Sequence, residues 1–525
     1  MIHSYDAPPG FCFDTLCTDD PINDNPSSKG YNKDKMVNKF IEVATQDFSR
    51  FKGPTSKHLL YPMGSDFHYQ NANKNFKNLD KLIQYVNDKT AETGIEAFYS
   101  TPSCYLKGVY QDQQDIFPDH EWKEKTDDFF PYASSKDAYW TGYFTSRPTL
   151  KYMERQSNNL LQIAKQVATL YGNPLLTGDI VAEDYQLNAL KRQMGAMQHH
   201  DAVTGTEKQN VAEDYALNLF EASKEAEALI GPLLYLKAGI DPENLSSDFL
   251  CPLSNISQCS LTDNIGNNMI ILVYNPLVRP ISKIIRFPVI ETNIEISCGN
   301  GTSMALEFIP IPDFVKKIPG RDSKSKYDAL FYADDIKPLG YKTFHIHRVQ
   351  WTPKERVLKP KKLNNLPKNI IAKVGYYPSY DGSGQNSGAY IFRPNVTEKI
   401  MLDIKEVEFI DGELVKEYWV RTDKYWASFI QREYSIDENI EVEWLIGPIP
   451  QNGSGTEVVM AYSQGQTVSK KEKKDFWTDS NGRQMMYRKQ DTRFSFRIYG
   501  SKKQQPISSN YYPITSGRFI TLKAK

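Results

Sequence analysis

Met197-Gln198-His199-His200-Asp201-Ala202-Val203-Thr204-Gly205-Thr206 joins two stretches of helical periodicity. Upstream, Leu187, Leu190, Met194 and Met197 recur at helical spacing over roughly 183–200. Downstream, Val211, Tyr215, Leu217, Leu219 and Phe220 do so over about 210–228, with Gly205 as the break between them. A third stripe, formed by Leu160, Leu161, Ile163, Ala164, Val167 and Leu170, ends at Gly172-Asn173-Pro174. Three helices of this length predict a small bundle over 137–240.

Beyond residue 250 the period changes to two. Ile440, Val442, Trp444 and Ile446 alternate mainly with charged residues, and Ile290, Ile294 and Ile296 and the segment Val415 to Phe429 behave alike. Residues 250–525 are therefore expected to be β-rich and sandwich-like, with charged loops over Lys316 to Lys326 and Lys470 to Lys474. Before the helices, Phe76 to Val86 reads as an amphipathic helix, while Leu59 to Gly64 and Ile95 to Ser100 read as strands that run into loops. That order suggests an α/β layer over 1–136. The fold class expected is α/β, then α, then β; 525 residues exceed one ordinary core.

Sixty-three Lys and Arg nearly balance 64 Asp and Glu, so no global field draws the chain to nucleic acid or an anionic membrane. The longest apolar runs, such as Met269 to Tyr274, fall far short of the ~20 residues that span a bilayer. The first ten residues lack the charged and apolar regions of a secretory signal, which taken alone argues for cytosol. The cysteines argue the other way. Cys12 and Cys17, and Cys251 and Cys259, bracket short loops that a disulfide could close. Neither spacing suggests a zinc ribbon. Cys104 and Cys298 could pair, stay free or need a partner elsewhere. Sequons at Asn244, Asn255, Asn300, Asn395 and Asn452 would permit glycosylation in a lumenal compartment.

His199, His200 and Asp201 offer two imidazoles and a carboxylate that point in different directions on a helix, so one segment could supply both a metal ligand and a hydrogen-bond acceptor. A histidine at a helix C-terminus also caps carbonyls, and on these residues alone both readings stand. His345 and His347 share one strand face with no acidic neighbour in sequence, which reads as ordinary surface or core.

The run from Met197 to Thr206, followed by Val211 to Ala216, resembles the zinc-site helix of glycoside hydrolase family 38 α-mannosidases. The resemblance continues through Met63-Gly64-Ser65-Asp66-Phe67, Asp128 to Tyr132, Tyr139 to Pro148, Ser387 to Pro394, Thr478 to Gly482 and Asn510-Tyr511-Tyr512-Pro513-Ile514. It implies that His200 ligates zinc, that Asp201 binds substrate hydroxyls and that Trp140 lines the sugar site. It further implies Asp66 as general acid/base, and one of Tyr511 and Tyr512 reaching the active site. Locally, Asp66 also reads as a loop-capping residue beside Gly64. As an acid it would need a raised pKa from partial burial beside another carboxylate. Cys12 to Cys17 resembles the lysosomal branch.

The activity implied is retaining, zinc-dependent, exo-acting hydrolysis of terminal α-mannose on N-glycans and related oligosaccharides, in the lysosome or a secreted lumen. In such chemistry one carboxyl protonates the leaving oxygen and a second, ~5–5.5 Å away, attacks the anomeric carbon. The family's His-x-Asp zinc pair and nucleophilic Asp are expected upstream of the residues present, so this chain supplies one zinc ligand that can be named. Residues 1–136 then read as the C-terminal part of an α/β barrel whose other half, with the remaining ligands and the partner of Cys104, lies either on a separate N-terminal fragment that could associate with it or upstream in the same reading frame. The alternative is an inactive, carbohydrate-binding accessory protein.

Overall fold

The computed structural model describes residues 5–50, 56–119, 121–122, 124–172, 180–240, 249–263, 265–350, 357–451, 455–462, 475–493 and 505–515. The sequons at Asn244 and Asn452 and the loop at 470–474 lie outside them. The chain divides into two compact units, Met1–Lys125 and Thr126–Lys525.

In the first unit, α1 (Lys33–Arg50) buries Met36, Val37, Phe40 and Ala44, and α2 (Ala72–Asn87) buries Leu79, Leu82 and Val86. These side chains recur every three or four residues, which puts them on one helical face. With Phe11, Phe13 and Ile22 they form the unit's core. Helix α3 (Pro102–Ile116) starts on Thr101, whose hydroxyl accepts from the Cys104 N–H, with Pro102 in the first turn. The expected α2 is present. The strands expected at 59–64 and 95–100 are not: among the described residues neither joins a ladder. Side chains meet their backbone groups instead. Asn87 accepts from the Ala97 N–H at 2.7 Å and donates to the Ala97 carbonyl at 2.9 Å, while the Tyr69 hydroxyl donates to the Met63 carbonyl. A period-two pattern marks a face and cannot by itself supply the neighbouring strand.

The second unit combines helices with several antiparallel sheets. Helices α4 (Pro148–Tyr171), α5 (Ile180–Ala196) and α6 (Gln209–Lys237) share one core, including Leu161, Val167, Leu190, Met194, Met197, Leu219 and Leu229. Helix α6 outruns its expected end by nine residues and continues through Pro232. Leu217 and Phe220, expected inward, are exposed. The buried stripe is Ala212, Leu219, Ala222 and Ala226, so the two large residues fall on the outer face.

Among the described residues, the largest sheet has five strands in the order 440–446, 427–434, 415–422, 404–411 and 361–362. The expected strand at 440–446 is there, and the segment from 415 is a hairpin in which Val420 faces Phe429. A three-stranded sheet of 281–289, 327–336 and 307–310 is joined to it by a buried charge cluster. Arg432 Nε donates to Glu417 Oε1 at 2.6 Å, and Arg286 lies 3.8 Å from the same oxygen and 3.9 Å from Asp328. Burial opposes ionisation of Glu417, but the two guanidiniums prevail and lower its pKa. At Asp328 burial prevails and raises it. His347 is also not without an acid. Its Nε2 is 3.8 Å from Glu295 on the paired strand, a neighbour 52 positions away that local sequence does not reveal.

Candidate functional site

Helix α5 ends at Ala196, before the histidines, and the chain from 197 to 205 runs through turns. Met197 and Ala202 are buried and anchor this segment to the helical core. The Ala202 N–H bonds the His199 carbonyl at 3.0 Å, and the Gly205 and Thr206 N–H groups both bond the Asp201 carbonyl at 3.1 Å. Gly205 has φ +76°, and a Cβ there would stand 2.4 Å from the Ser146 carbonyl oxygen. Lys151 Nζ donates to the carbonyls of Ser146, Val203 and Thr204, each at 2.8 Å. Burial pulls its pKa down to about 8 against the pull of Glu207 and Glu154.

Because the segment is a turn, the three side chains converge where a helix would spread them. His199 Nε2 and His200 Nε2 lie 3.4 and 3.7 Å from Asp201 Oδ2, and one ligand atom from each residue falls within 4.8 Å of the others. His200 is 84% exposed, which leaves its ring open to a ligand. Asp201 Oδ1 accepts from the Thr206 hydroxyl at 2.8 Å and the Tyr390 hydroxyl at 3.4 Å. Partial burial works against ionisation of Asp201, but Thr206, the two imidazoles and Tyr390 outweigh it and hold the carboxyl below its ordinary range. Two imidazole nitrogens and a carboxylate oxygen are a donor set suited to a borderline divalent cation such as zinc.

Trp140 flanks this cluster. Its ring meets Tyr390 at 5.1 Å and Tyr132 at 5.4 Å, and its Nε1 donates to Ser134 Oγ at 3.0 Å. The segment around Trp140 is docked on 388–392, with Gly142 N–H to the Tyr390 carbonyl at 3.1 Å and Phe392 N–H to the Tyr139 carbonyl at 3.2 Å. Phe392 packs on Tyr511 at 5.1 Å and on Tyr377 at 5.4 Å. Tyr512 stacks under the Arg488 guanidinium, 4.4 Å from its ring centre. Arg488 is itself held bidentately by Asp128 at 2.7 and 2.5 Å. Trp140, His200, Asp201, Tyr511 and Tyr512 thus sit in the second unit, the first three around one aromatic cluster.

Asp66 belongs to the first unit. It lies in an exposed turn, and its Oδ1 accepts from the Tyr5 hydroxyl at 3.2 Å. The partial burial expected for an acid is not provided here: Asp66 is exposed, in a turn whose Phe67 and Tyr69 have φ +63° and +64°. Cys12–Cys17 and Cys251–Cys259 are disulfides with Cα separations of 5.9 and 5.1 Å, and Cys104 and Cys298 are free thiols.

Residues 1–135 match the profile described as the glycosyl hydrolases family 38 N-terminal domain, 138–235 the alpha mannosidase middle domain, and 354–520 the glycosyl hydrolases family 38 C-terminal domain. The chain belongs to glycosyl hydrolase family 38. Among relatives of this family-38 chain, the lysosomal alpha-mannosidase of Bos taurus is 34% identical over 98% of the chain and 51% of the relative. The lysosomal alpha-mannosidase of Homo sapiens is 32% identical over 99% and 52%. An Arabidopsis thaliana alpha-mannosidase is 31% identical over 98% and 53%. The chain spans about half the length of these relatives. In fold it is similar to the crystal structure of a family-38 protein from Enterococcus faecalis (TM-score 0.51, 12% identity, 90% of this chain and 58% of that one). Among the described residues no helix is long and apolar enough to cross a membrane.

Thr206, Tyr390 and His199 are the contacts that sequence reasoning left without a role. Thr206 lies within the motif, and its hydroxyl reaches back five residues to Asp201 across the turn. Tyr390 stands 189 positions from Asp201, and no local signal pairs them.

Proposed function

We propose that this chain forms part of a retaining, zinc-dependent α-mannosidase acting on terminal α-mannose of N-glycans and related oligosaccharides in a lysosomal or other lumenal compartment. The observation that carries this reading is the convergence of His199, His200 and Asp201 beside Tyr390 and Trp140, in a chain whose family includes lysosomal alpha-mannosidases. In it, residues 1–136 are the later part of an α/β barrel, 137–240 a three-helix bundle and 250–525 sandwich-like β domains. His200 is a ligand to zinc, and a cation bound there would act as Lewis acid and template for vicinal sugar hydroxyls.

The chain's own side chains then divide the work. Asp201 stays ionised and receives sugar hydroxyls, with Thr206 and Tyr390 fixing one of its oxygens. Trp140 offers a ring face to the apolar side of the sugar. Tyr511 or Tyr512 borders the same pocket, and Asp66 acts as acid/base once its surroundings withdraw it from water, which raises a carboxyl pKa. The test is to join the chain to the portion of the bovine relative that it does not span and to follow release of a chromogenic leaving group from an α-mannoside. The expected result is hydrolysis with retention at the anomeric carbon, lost in His200→Ala and in Asp66→Asn. Mannose binding with no hydrolysis in any such assembly would instead make the chain a carbohydrate-binding accessory protein.

A further inference from the structure

A second set of metal-type ligands lies in the first unit, remote in sequence from the histidine pair. Cys12, Cys17 and His68 bring two sulfurs and one imidazole nitrogen within 4.8 Å of one another. His68 Nε2 stands 4.0 Å from Cys12 Sγ and 3.8 Å from Cys17 Sγ. The two cysteines are joined as a disulfide, and in that state neither sulfur is a competent ligand. We propose that reduction of Cys12–Cys17 opens a site for one thiophilic divalent cation, Zn2+ or Cd2+, held by Cys12, Cys17 and His68. The disulfide and the metal are then alternative occupants of the same three residues.

The geometry needs little rearrangement. A tetrahedral zinc with bonds of about 2.3 Å to sulfur and about 2.0 Å to nitrogen sets sulfur and nitrogen about 3.5 Å apart, a few tenths of an ångström less than is seen. The sulfurs must separate to about 3.8 Å on the same bond lengths. The loop that must open contains only Phe13, Asp14, Thr15 and Leu16, so breaking the disulfide frees a short stretch of chain. That stretch is held independently. Asp14 Oδ2 accepts from the Tyr69 N–H at 2.8 Å and from Asn75 Nδ2 at 3.1 Å, and the Cys12 N–H donates to Asp19 at 3.0 Å. Tyr69 follows His68 in sequence, so the bond to Asp14 also ties the histidine to the cysteine loop.

A further observation points to a ligand. Asn75 is only 4% exposed, and its Oδ1 has no hydrogen-bond partner. Asn75 lines the same small cavity as Cys12 and His68, together with Phe11, Phe13 and Met63. A buried carbonyl oxygen without a donor is costly. A water completing the cation's fourth position would supply one.

The redox step balances simply. A dithiol reductant gives two electrons and two protons to the disulfide and is itself oxidised to a disulfide, leaving two thiols. The cation then displaces both thiol protons to solvent and binds two thiolates and the neutral imidazole.

The experiment uses the whole chain carrying Cys104→Ser, Cys298→Ser, Cys251→Ser and Cys259→Ser, so that Cys12 and Cys17 are the thiols that reduction supplies. The oxidised protein, and protein reduced and freed of reductant, are each titrated with Cd2+ while the thiolate-to-metal charge-transfer absorption is read. In parallel, alkylation of Cys12 and Cys17 is counted by mass. Expected are one additional Cd2+ per chain after reduction, a thiolate band in the reduced form alone, and protection of both thiols from alkylation. His68→Ala should weaken the site at least tenfold while helical circular dichroism is unchanged, and Cys17→Ser should remove the band. His200→Ala should leave the thiolate band, the protection from alkylation and the difference of one Cd2+ between the two redox states as they are. Equal stoichiometry in both redox states overturns the proposal, and so does a band that survives His68→Ala at full affinity. If reduction lowers the helical signal, His68-dependent recovery of that signal on adding Cd2+ supports the site, and no recovery counts against it.

Discussion

Glu457 lies on the strand Thr456–Tyr462, opposite Tyr377. Burial alone pushes its carboxyl from an ordinary 4.5 up to about 7. Between those two values the folded chain keeps a proton that the unfolded chain has released. Stability must therefore fall as pH rises through that window, and the lost part stays lost above pH 7. At about 1.36 kcal/mol per pKa unit the ceiling is roughly 3.4 kcal/mol. Solvent screening at a partly exposed side chain brings the expectation to about 2 kcal/mol. Glu457→Gln replaces the carboxyl with a neutral group of the same shape. At pH 4.5 wild type and variant should unfold in urea within about 0.5 kcal/mol of each other. At pH 8 the variant should be the more stable by about 2 kcal/mol, read as a shift of the urea midpoint at unchanged slope. A difference of the same size at both pH values would refute the reasoning, because it would mean that Glu457 titrates as it does in the unfolded chain.

Three other perturbations test the frame around the candidate site. Gly205→Ala puts a methyl group against the Ser146 carbonyl at a positive φ and should cost more than about 1 kcal/mol in thermal or urea unfolding. It should also weaken divalent-cation binding at His199 to Asp201. Glu417→Ala leaves Arg432 and Arg286 buried beside a missing charge; calorimetry should show a loss of about 3–5 kcal/mol. Tyr390→Phe removes one donor to Asp201 while keeping the ring on Trp140, so stability should change by less than about 1 kcal/mol. Its mark should be on pH dependence. Tyr390 is one of the groups that hold the Asp201 carboxyl below its ordinary value, so in the variant that carboxyl should titrate at a higher pH than in wild type, read from the Asp201 carboxyl carbon by NMR.

What could be read from the chain and what could not follows from the range of the interactions involved. Helices α2, α4, α5 and α6 were legible because their buried faces repeat within a few residues, as Leu79, Leu82 and Val86 do. The stretches at 59–64 and 95–100 have strand-like composition, yet their backbone partners are side chains such as Asn87. Period two cannot tell a ladder from such a substitute. The same limit governs the site. The histidine pair was visible as a motif, but its convergence on Asp201 depends on where α5 stops. The turn that follows is held from outside the motif, by Lys151 bonding the Val203 and Thr204 carbonyls and by the Ser146 carbonyl excluding any side chain at 205. Tyr390 is brought to Asp201 by hydrogen bonds between 139–146 and 388–392. His68 reaches the Cys12–Cys17 loop through Tyr69 and Asp14. In each case a short sequence motif supplies the chemistry, while a polar contact dozens to hundreds of residues away sets the direction in which it points. Substitutions at Lys151, Ser146 or Asp14 should therefore alter function without touching any residue that carries it.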